Sequence, residues 1–153
     1  MPAVKRTLLC LSLAALVAAA AASAAQPLVP AAAQDAIAHK APRLAYVPAR
    51  GTPPYRYRNW RLAGGRLRIW FANRNEPRKL LVFEARAFHG VCRAGAQQGM
   101  QMAGVKVWYG ESGGVRQAWR CVHGTKLATW TTLPDRRYSR SGLARITASG
   151  HKL

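Results

Sequence analysis

Two cysteines and two histidines are the residues of this chain whose types and spacing could do chemistry. His89 precedes Cys92 by three residues, and His123 follows Cys121 by two. If the four side chains converged, they could hold zinc or copper in a tetrahedral site. The alternative, which we predict, is a disulfide between the two cysteines, because the spacings match no zinc finger and an oxidising compartment favours the bond. Closing a loop of about 30 residues should contribute about 3–4 kcal/mol.

A second candidate site is a run of alternating basic and aromatic residues. It begins at residue 55 and continues, after a glycine turn, through residues 66–73. Arginine and tryptophan together can bind an anionic ligand through charge and stacking. We predict a surface for such a ligand made of Arg56, Arg58, Arg61, Arg66, Arg68, Trp60 and Trp70. The remaining tryptophans, Trp108, Trp119 and Trp130, are expected to fill the core.

The pattern of polar residues predicts a protein that is not an enzyme and has no cofactor. Glu76, Glu84 and Glu111 are isolated, so spacing implies no carboxylate pair for acid–base catalysis. The serines lack a Gly-x-Ser-x-Gly context. The glycine-containing stretch 110–114 lacks the lysine and the helix that complete a phosphate-binding loop.

The first 25 residues have the order of a secretory signal peptide. Lys5 and Arg6 precede an apolar run at residues 8–22, and Ser23-Ala24-Ala25 follows it. A membrane anchor, the alternative, needs about 20 strongly apolar residues, and this run is shorter and rich in alanine. We therefore predict a signal peptide at residues 1–25 that is removed together with Cys10. The mature protein would be periplasmic or secreted, with no transmembrane segment.

The charge balance is strongly positive. The chain has 24 Lys and Arg residues against 5 Asp and Glu, a formal net charge of +19. Such an excess favours anionic partners. The predicted partners are lipid headgroups, lipopolysaccharide, cell-wall polymer or an envelope protein, and no specific nucleic acid. Alternatively, the charge only keeps a small protein soluble.

The periodicity of the chain predicts an α+β fold. Residues 26–53 are rich in alanine and proline and are predicted to be a flexible leader, and residues 54–150 a single disulfide-stapled domain. Within it, residues 88–104 show no periodicity, and His123-Gly124 is predicted to be a two-residue hairpin turn. Leu67, Ile69 and Phe71 are predicted to share one face of their strand. A helix is expected to begin at a cap on Asp135 or Ser139 and to run to Ser149. The expected strands are 55–62, 66–73, 80–86, 105–109, 115–122 and 126–132. Together they predict a curved, mainly antiparallel sheet of about six strands with the C-terminal helix packed on it.

Several short segments carry a resemblance to known proteins. They are Pro53-Pro54-Tyr55, Tyr57, Trp60, Gly64-Gly65, Leu67–Phe71, Gly104–Val107, Ala118–Cys121 and Leu133-Pro134. In this order they resemble a group of exported bacterial proteins of unknown function. More distantly, the chain is similar to the extracytoplasmic C-terminal domains of anti-sigma factors, which are related to the half-barrels of lipoprotein carriers. The resemblance covers residues 42–149 and implies a curved antiparallel sheet with a packed helix. It carries over no functional residue.

The sequence thus predicts a non-enzymatic, exported, envelope-associated binding module with a basic, aromatic-rich surface. Two alternatives stay open. One is a sensor or regulatory partner of an envelope signalling system. The other is a periplasmic metal-handling protein that uses His89, Cys92, Cys121 and His123.

Overall fold

The computed structural model describes residues 28–51, 54–133 and 139–153. The predicted signal peptide and the possible helix cap Asp135 lie outside the described residues. Within the described ranges the chain forms two helices and nine strands. In chain order they are α1 Ala31–Lys40, β1 Tyr46–Pro48, β2 Tyr55–Ala63, β3 Arg66–Asn73, β4 Leu80–Ala87, β5 Gln98–Met102, β6 Val105–Ser112, β7 Val115–Val122, β8 Thr125–Thr131, α2 Arg140–Ala148 and β9 Gly150–Lys152.

Seven strands form one open antiparallel sheet in the order β2-β3-β4-β8-β7-β6-β5, and β1 pairs with β9 in a second, two-stranded sheet. The predicted α+β class, with a mainly antiparallel sheet and a C-terminal helix packed on it, is confirmed. The main sheet has one strand more than expected, because β5 pairs with β6 at its edge. Gly99 hid this strand from the periodicity. A Cβ at Gly99 would lie 2.9 Å from the ring of Trp108 on β6.

One face of the main sheet, here called the inner face, holds the core. Strand β3 supplies Leu67, Ile69 and Phe71, which alternate along the strand as predicted and are fully buried. Helix α2 packs across β6, β7 and β8 on this face, and its Leu143 and Ile146 join the same buried cluster. Burying a side chain of this size stabilises the fold by about 1.5–3 kcal/mol, so the inner face is the main source of stability.

Helix α2 begins where the sequence indicated. The Ser139 side chain accepts a hydrogen bond from the backbone N–H of Gly142 at 3.2 Å, which is the predicted N-cap. Near the other end of the helix, the hydroxyl of Thr147 lies 2.8 Å from that of Thr129 on β8. Both threonines are fully buried. The pair therefore fixes the helix over the centre of the sheet without leaving either hydroxyl unsatisfied.

Part of residues 26–53, the stretch predicted to be a flexible leader, forms a helix and packs against the domain. Helix α1 occupies ten of these residues, and its Ile37 is 0% exposed. Val29, Tyr46 and Val47 belong to the same buried cluster as the inner-face strands. The sequence missed this because alanine favours a helix without marking an apolar face. Strand β1 is ordered by its pairing with β9, more than 100 residues away in the chain.

Strand β2 contains a β-bulge that the strict alternation of its sequence did not predict. The pairing with β3 shifts by one residue between Tyr57 and Asn59. Because side-chain direction has a period of two, an extra residue reverses which residues face the core. Tyr57 and Trp60 therefore lie on the inner side of the strand, although they are three residues apart.

Candidate anion-binding surface

The face of the main sheet that the helices do not cover, here called the outer face, has two different halves. Over β7 and β8 it is covered by the loop of residues 88–97. We call this the capped half. Over β2, β3 and β4 no described segment covers it in this way, and we call this the open half. The two halves carry the two sets of residues that the sequence singled out.

The capped half is held by the predicted disulfide. Cys92 in the loop is bonded to Cys121 on β7, with their Cα atoms 5.9 Å apart. The indole Nε1 of Trp119 donates a hydrogen bond to the backbone carbonyl of Cys92 at 2.6 Å. Trp119 is 4% exposed as a result. The covalent bond and the hydrogen bond thus keep the loop on the sheet.

Lys126 lies under the same loop. Its Nζ is 4.6 Å from the ring centre of Trp119 and 5.5 Å from that of Phe88. Burial lowers the pKa of Lys126, and the neighbouring Arg86 lowers it further, whereas Glu84 acts in the opposite direction. The two aromatic rings attract the ammonium group and partly offset this cost.

The structure does not assemble the alternative metal site. Cys92 and Cys121 share a disulfide, so neither is a thiolate ligand. His89 and His123 are both exposed. In the part of the chain that the structure describes, no group of three or more His, Cys, Asp or Glu residues is placed to hold a metal ion. His123 instead has a φ of 46° in the tight turn between β7 and β8, as its predicted place before Gly124 suggested.

The open half collects the predicted arginines. Arg56 and Arg61 project from β2, and Arg66 and Arg68 from β3, all from positions on the outer side of the register. Arg61 lies directly opposite Arg68. Across the other side of β3, Arg66 lies opposite Arg86 of β4. Like charges directly opposite one another destabilise a sheet, so the fold tolerates this surface at a cost.

One carboxylate offsets part of that charge. Glu84 on β4 is 5% exposed, and its Oε2 accepts a hydrogen bond from Arg68 Nε at 2.7 Å. Its Oε1 lies 3.8 Å from Arg86 Nε. Among the described residues, Arg56, Arg61 and Arg66 have no ion pair with a carboxylate. Their guanidinium groups are available to an anion from solution.

The predicted tryptophans separate between the two faces. Trp70 is half-buried on the outer face, opposite Asn59, and lies with the arginines as predicted. Trp60 is different. Its Cα pairs with that of Ile69, and its side chain packs against the buried core cluster. The bulge in β2 is the reason that Trp60 lies on the inner side of the strand. The apolar and aromatic residues at positions 55, 57, 60 and 62 are spaced by two, three and two, and this irregular spacing is the signal of the bulge in the sequence.

The expectation that three further tryptophans fill the core is correct for Trp119 alone, and that residue is buried under the loop of the capped half. Trp108 and Trp130 are half-buried on the outer face. Trp130 lies opposite Val82, which in turn lies opposite Trp70. A row of apolar side chains therefore crosses the outer face beside the arginines.

A depression on the open half brings these groups together. It has a volume of about 430 Å³ and is lined by Arg61, Arg66, Arg68 and Trp70, with Ala63 and Gly64 at its end. Three guanidinium groups around one indole can hold a phosphate or carboxylate in bidentate hydrogen bonds and place an apolar group on the ring.

Other ionisable groups with a shifted pKa do not converge on this depression. Burial raises the pKa of Tyr57, whose ring meets Phe71 edge-on on the inner side with a centroid distance of 6.4 Å. Burial also lowers the pKa of Arg120, whose guanidinium donates to the carbonyl of Gly150 near β9. With Lys126 in the capped half, the three groups lie on three different strands.

The described helices include none with the length and apolar character to cross a membrane. Comparison of the chain with protein-family models, with curated proteins and with solved structures finds no match. The resemblance to exported bacterial proteins and to anti-sigma-factor domains therefore stays a prediction.

Proposed function

We propose that this protein is an exported, non-enzymatic module, periplasmic or secreted, that binds anionic components of the cell envelope. Lipid headgroups, lipopolysaccharide and cell-wall polymer all present phosphate or carboxylate groups of the kind that arginine binds. The binding surface is the open half of the outer face. The disulfide-held loop and the inner-face helices form the scaffold that supports it.

The observation that carries this proposal is the alignment of arginines across strands with too few carboxylates to neutralise them. Arg61 opposes Arg68, and Arg66 opposes Arg86, while Glu84 is the one carboxylate that contacts this set among the described residues. An anion bound between the strands would relieve the repulsion. Trp70 beside the arginines adds an amphipathic ring of the kind enriched where one end of a side chain is apolar and the other wet.

The test is binding to phospholipid vesicles that contain phosphatidylglycerol, with phosphatidylcholine vesicles as the uncharged comparison. We expect binding to the anionic vesicles only. It should weaken steeply when the salt concentration rises from about 0.1 M to about 1 M, since the Debye length falls from about 10 Å to about 3 Å. Binding that is equal for both vesicles, or that does not respond to salt, would contradict the proposal.

Substitution locates the surface. The variant R56Q/R61Q/R66Q removes three arginines that have no ion pair with a described carboxylate, so the fold should be preserved. A basic residue near an anionic membrane contributes about 1 kcal/mol, which predicts a loss of about 3 kcal/mol, on the order of 100-fold in affinity. The matched control R43Q/R50Q/R145Q removes the same charge from exposed positions elsewhere. If both variants lose affinity equally, net charge and not this surface is responsible.

A further inference from the structure

The central depression is one part of a longer groove. A second depression of about 380 Å³ shares Arg61 and Trp70 with it and adds Arg58, Asn59, Trp60 and Leu80. A third, of about 760 Å³, shares Arg58 and Leu80 with the second and extends to the connection between β3 and β4. Because each depression shares side chains with the next, the three form one groove along β2 and β3.

The length of this groove is set by the strands that it follows. It runs from Gly64, in the turn before β3, to Arg78, in the connection after β3. Strand β3 has eight residues, and at about 3.3 Å per residue it is roughly 25 Å long. One phosphate or carboxylate is held by two or three guanidinium groups. A single compact anion therefore fills a small part of the groove.

Arginines line the groove from end to end. Arg61, Arg66 and Arg68 lie around the first depression. The third depression is lined by four arginines, Arg56, Arg58, Arg74 and Arg78. All four are exposed. No Asp or Glu is among the described residues that line any of the three depressions.

The bulge in β2 is what keeps the row continuous. In an uninterrupted strand, Arg56 and Arg61 would project from opposite faces, since they are five residues apart. The extra residue between Tyr57 and Asn59 brings both to the outer side, and Arg58 at the bulge lines the groove between them. Bulges commonly re-aim side chains near functional sites.

From these observations we infer that the ligand is a linear polymer with repeated phosphate or phosphodiester groups, which lies lengthwise along the groove. The inference rests on the proposed function and specifies the ligand within it. Seven guanidinium groups spread over the length of a strand match a chain of separate charges better than one headgroup. Phosphate suits the planar fork of arginine. A single-stranded nucleic acid fits less well, because it needs successive aromatic platforms. Tyr57 and Trp60 also line the groove, but their side chains pack against the core cluster, and Trp70 is the aromatic side chain that the register places on the outer side.

The experiment uses the full chain and linear inorganic polyphosphate of increasing length, with free phosphate as the shortest probe. We expect the dissociation constant to fall by at least about tenfold as the polymer lengthens and to level off once it spans roughly 25 Å. Titration calorimetry measures the dissociation constant for each probe. If long and short probes bind equally, when compared per phosphate, the inference fails.

A pair of variants tests where the chain lies. R56Q/R78Q removes two exposed arginines from the far end of the groove. It should weaken long polymers about tenfold and leave the shortest bound chain unchanged, whereas the control R43Q/R145Q should change neither. An equal effect of R56Q/R78Q on long and short chains would overturn the inference. Melting curves by circular dichroism establish that each variant is folded.

The outcomes separate the inference from the proposed function. Vesicle binding that depends on Arg56, Arg61 and Arg66, without dependence on polymer length, preserves the proposed function and removes the inference. Binding to neither vesicles nor polymers removes both. A single-stranded oligonucleotide of equal charge that binds at least about tenfold more tightly than polyphosphate would show a ligand recognised by base stacking, which overturns the choice of a phosphate polymer.

Discussion

The capped and open halves of the outer face contain similar residues, but these residues are buried in the capped half and accessible from solution in the open half. Each half has a tryptophan close to a cation. In the capped half, Trp119 lies under the disulfide-held loop, and Lys126 lies between two aromatic rings. In the open half, Trp70 is half-buried, and Arg68 contacts a single carboxylate. One half adds to the stability of the fold, and the other remains accessible from solution.

The difference shows how an antiparallel sheet divides its second face. Such a sheet can leave one face in water because strand pairing already satisfies its backbone. Here the loop of residues 88–97 covers the part of the face where the cysteines lie. The remaining part keeps opposed arginines that cost stability. That cost is understandable if an anion, and not another segment of the chain, is what covers them.

The largest expected contrast is between the two tryptophans. Trp119→Ala removes a buried indole and its hydrogen bond to Cys92, so we expect a loss of about 3–5 kcal/mol in the free energy of unfolding. Trp70→Ala should cost less than about 1 kcal/mol, because a half-exposed side chain leaves little cavity. Urea titration measures both. The reverse pattern should appear in vesicle binding, which Trp70→Ala weakens. Equal losses of stability would remove the distinction between the halves.

The disulfide provides the next largest effect. C92S/C121S should lower the free energy of unfolding by about 3–4 kcal/mol, as expected for a closed loop of about 30 residues. Once the loop is free to leave the sheet, Trp119 becomes exposed, and the tryptophan emission of the whole protein should shift to longer wavelength. Wild-type protein treated with a reducing agent serves as the control and should behave alike.

Vesicle binding by the C92S/C121S variant tests whether the open half works independently of the capped half. The open half does not depend on the loop, so C92S/C121S should bind anionic vesicles as tightly as wild type under conditions where it remains folded. A loss of affinity comparable to that of R56Q/R61Q/R66Q would mean that the capped half takes part in binding.

The smallest effect concerns pH and Lys126. Burial, with Arg86 second, lowers the pKa of Lys126 from its ordinary value of 10.5. The unfolded chain therefore binds more protons than the folded chain between the two pKa values, and stability contributed at this position rises with pH in that window. We expect the free energy of unfolding of wild type, minus that of Lys126→Met, to increase as the pH approaches 10.5.

A control for this titration is present in the same sheet. Lys106 also lies over an indole, with its Nζ 5.2 Å from the ring centre of Trp108, but it is exposed. The same difference in the free energy of unfolding is measured for Lys106→Met at each pH. Subtracting it removes the general effect of deleting one cation at high pH. The lowered pKa of Lys126 would be contradicted if the free energy of unfolding of wild type, minus that of Lys126→Met, stayed constant or fell as the pH rose.

Much of the fold could be predicted because it follows from the alternation of apolar and polar residues within short segments of the chain. Strand β3 was predicted with its observed bounds and with Leu67, Ile69 and Phe71 on the core side. The tight turn at His123 and the cap at Ser139 were predicted from their residue types. For residues 31–38 the sequence indicated no more than a marginal helical turn, and strand β5 was missed, since an alanine-rich helix and a strand with a central glycine lack the periodicity that marks buried faces.

The residues of the candidate site could be named from the sequence, but the side of the sheet on which each one lies could not. All seven of its residues line the groove, but Trp60 packs against the core cluster because one extra residue in β2 reverses the phase of the strand. The arginines at residues 74 and 78 were not included, because they lie in a connection whose position depends on the turn between β3 and β4.

The sequence by itself determined the excess of positive charge, predicted the pairing of Cys92 with Cys121, and determined the alternation that makes most of the strands. These properties depend on residue counts and on near neighbours in the chain. Only the tertiary structure decided that β1 pairs with β9, that the loop of residues 88–97 covers one half of the outer face, and that the arginines form one row in the other half. Each of these depends on contacts between residues far apart in the chain or on a single shift of register, which local patterns do not encode.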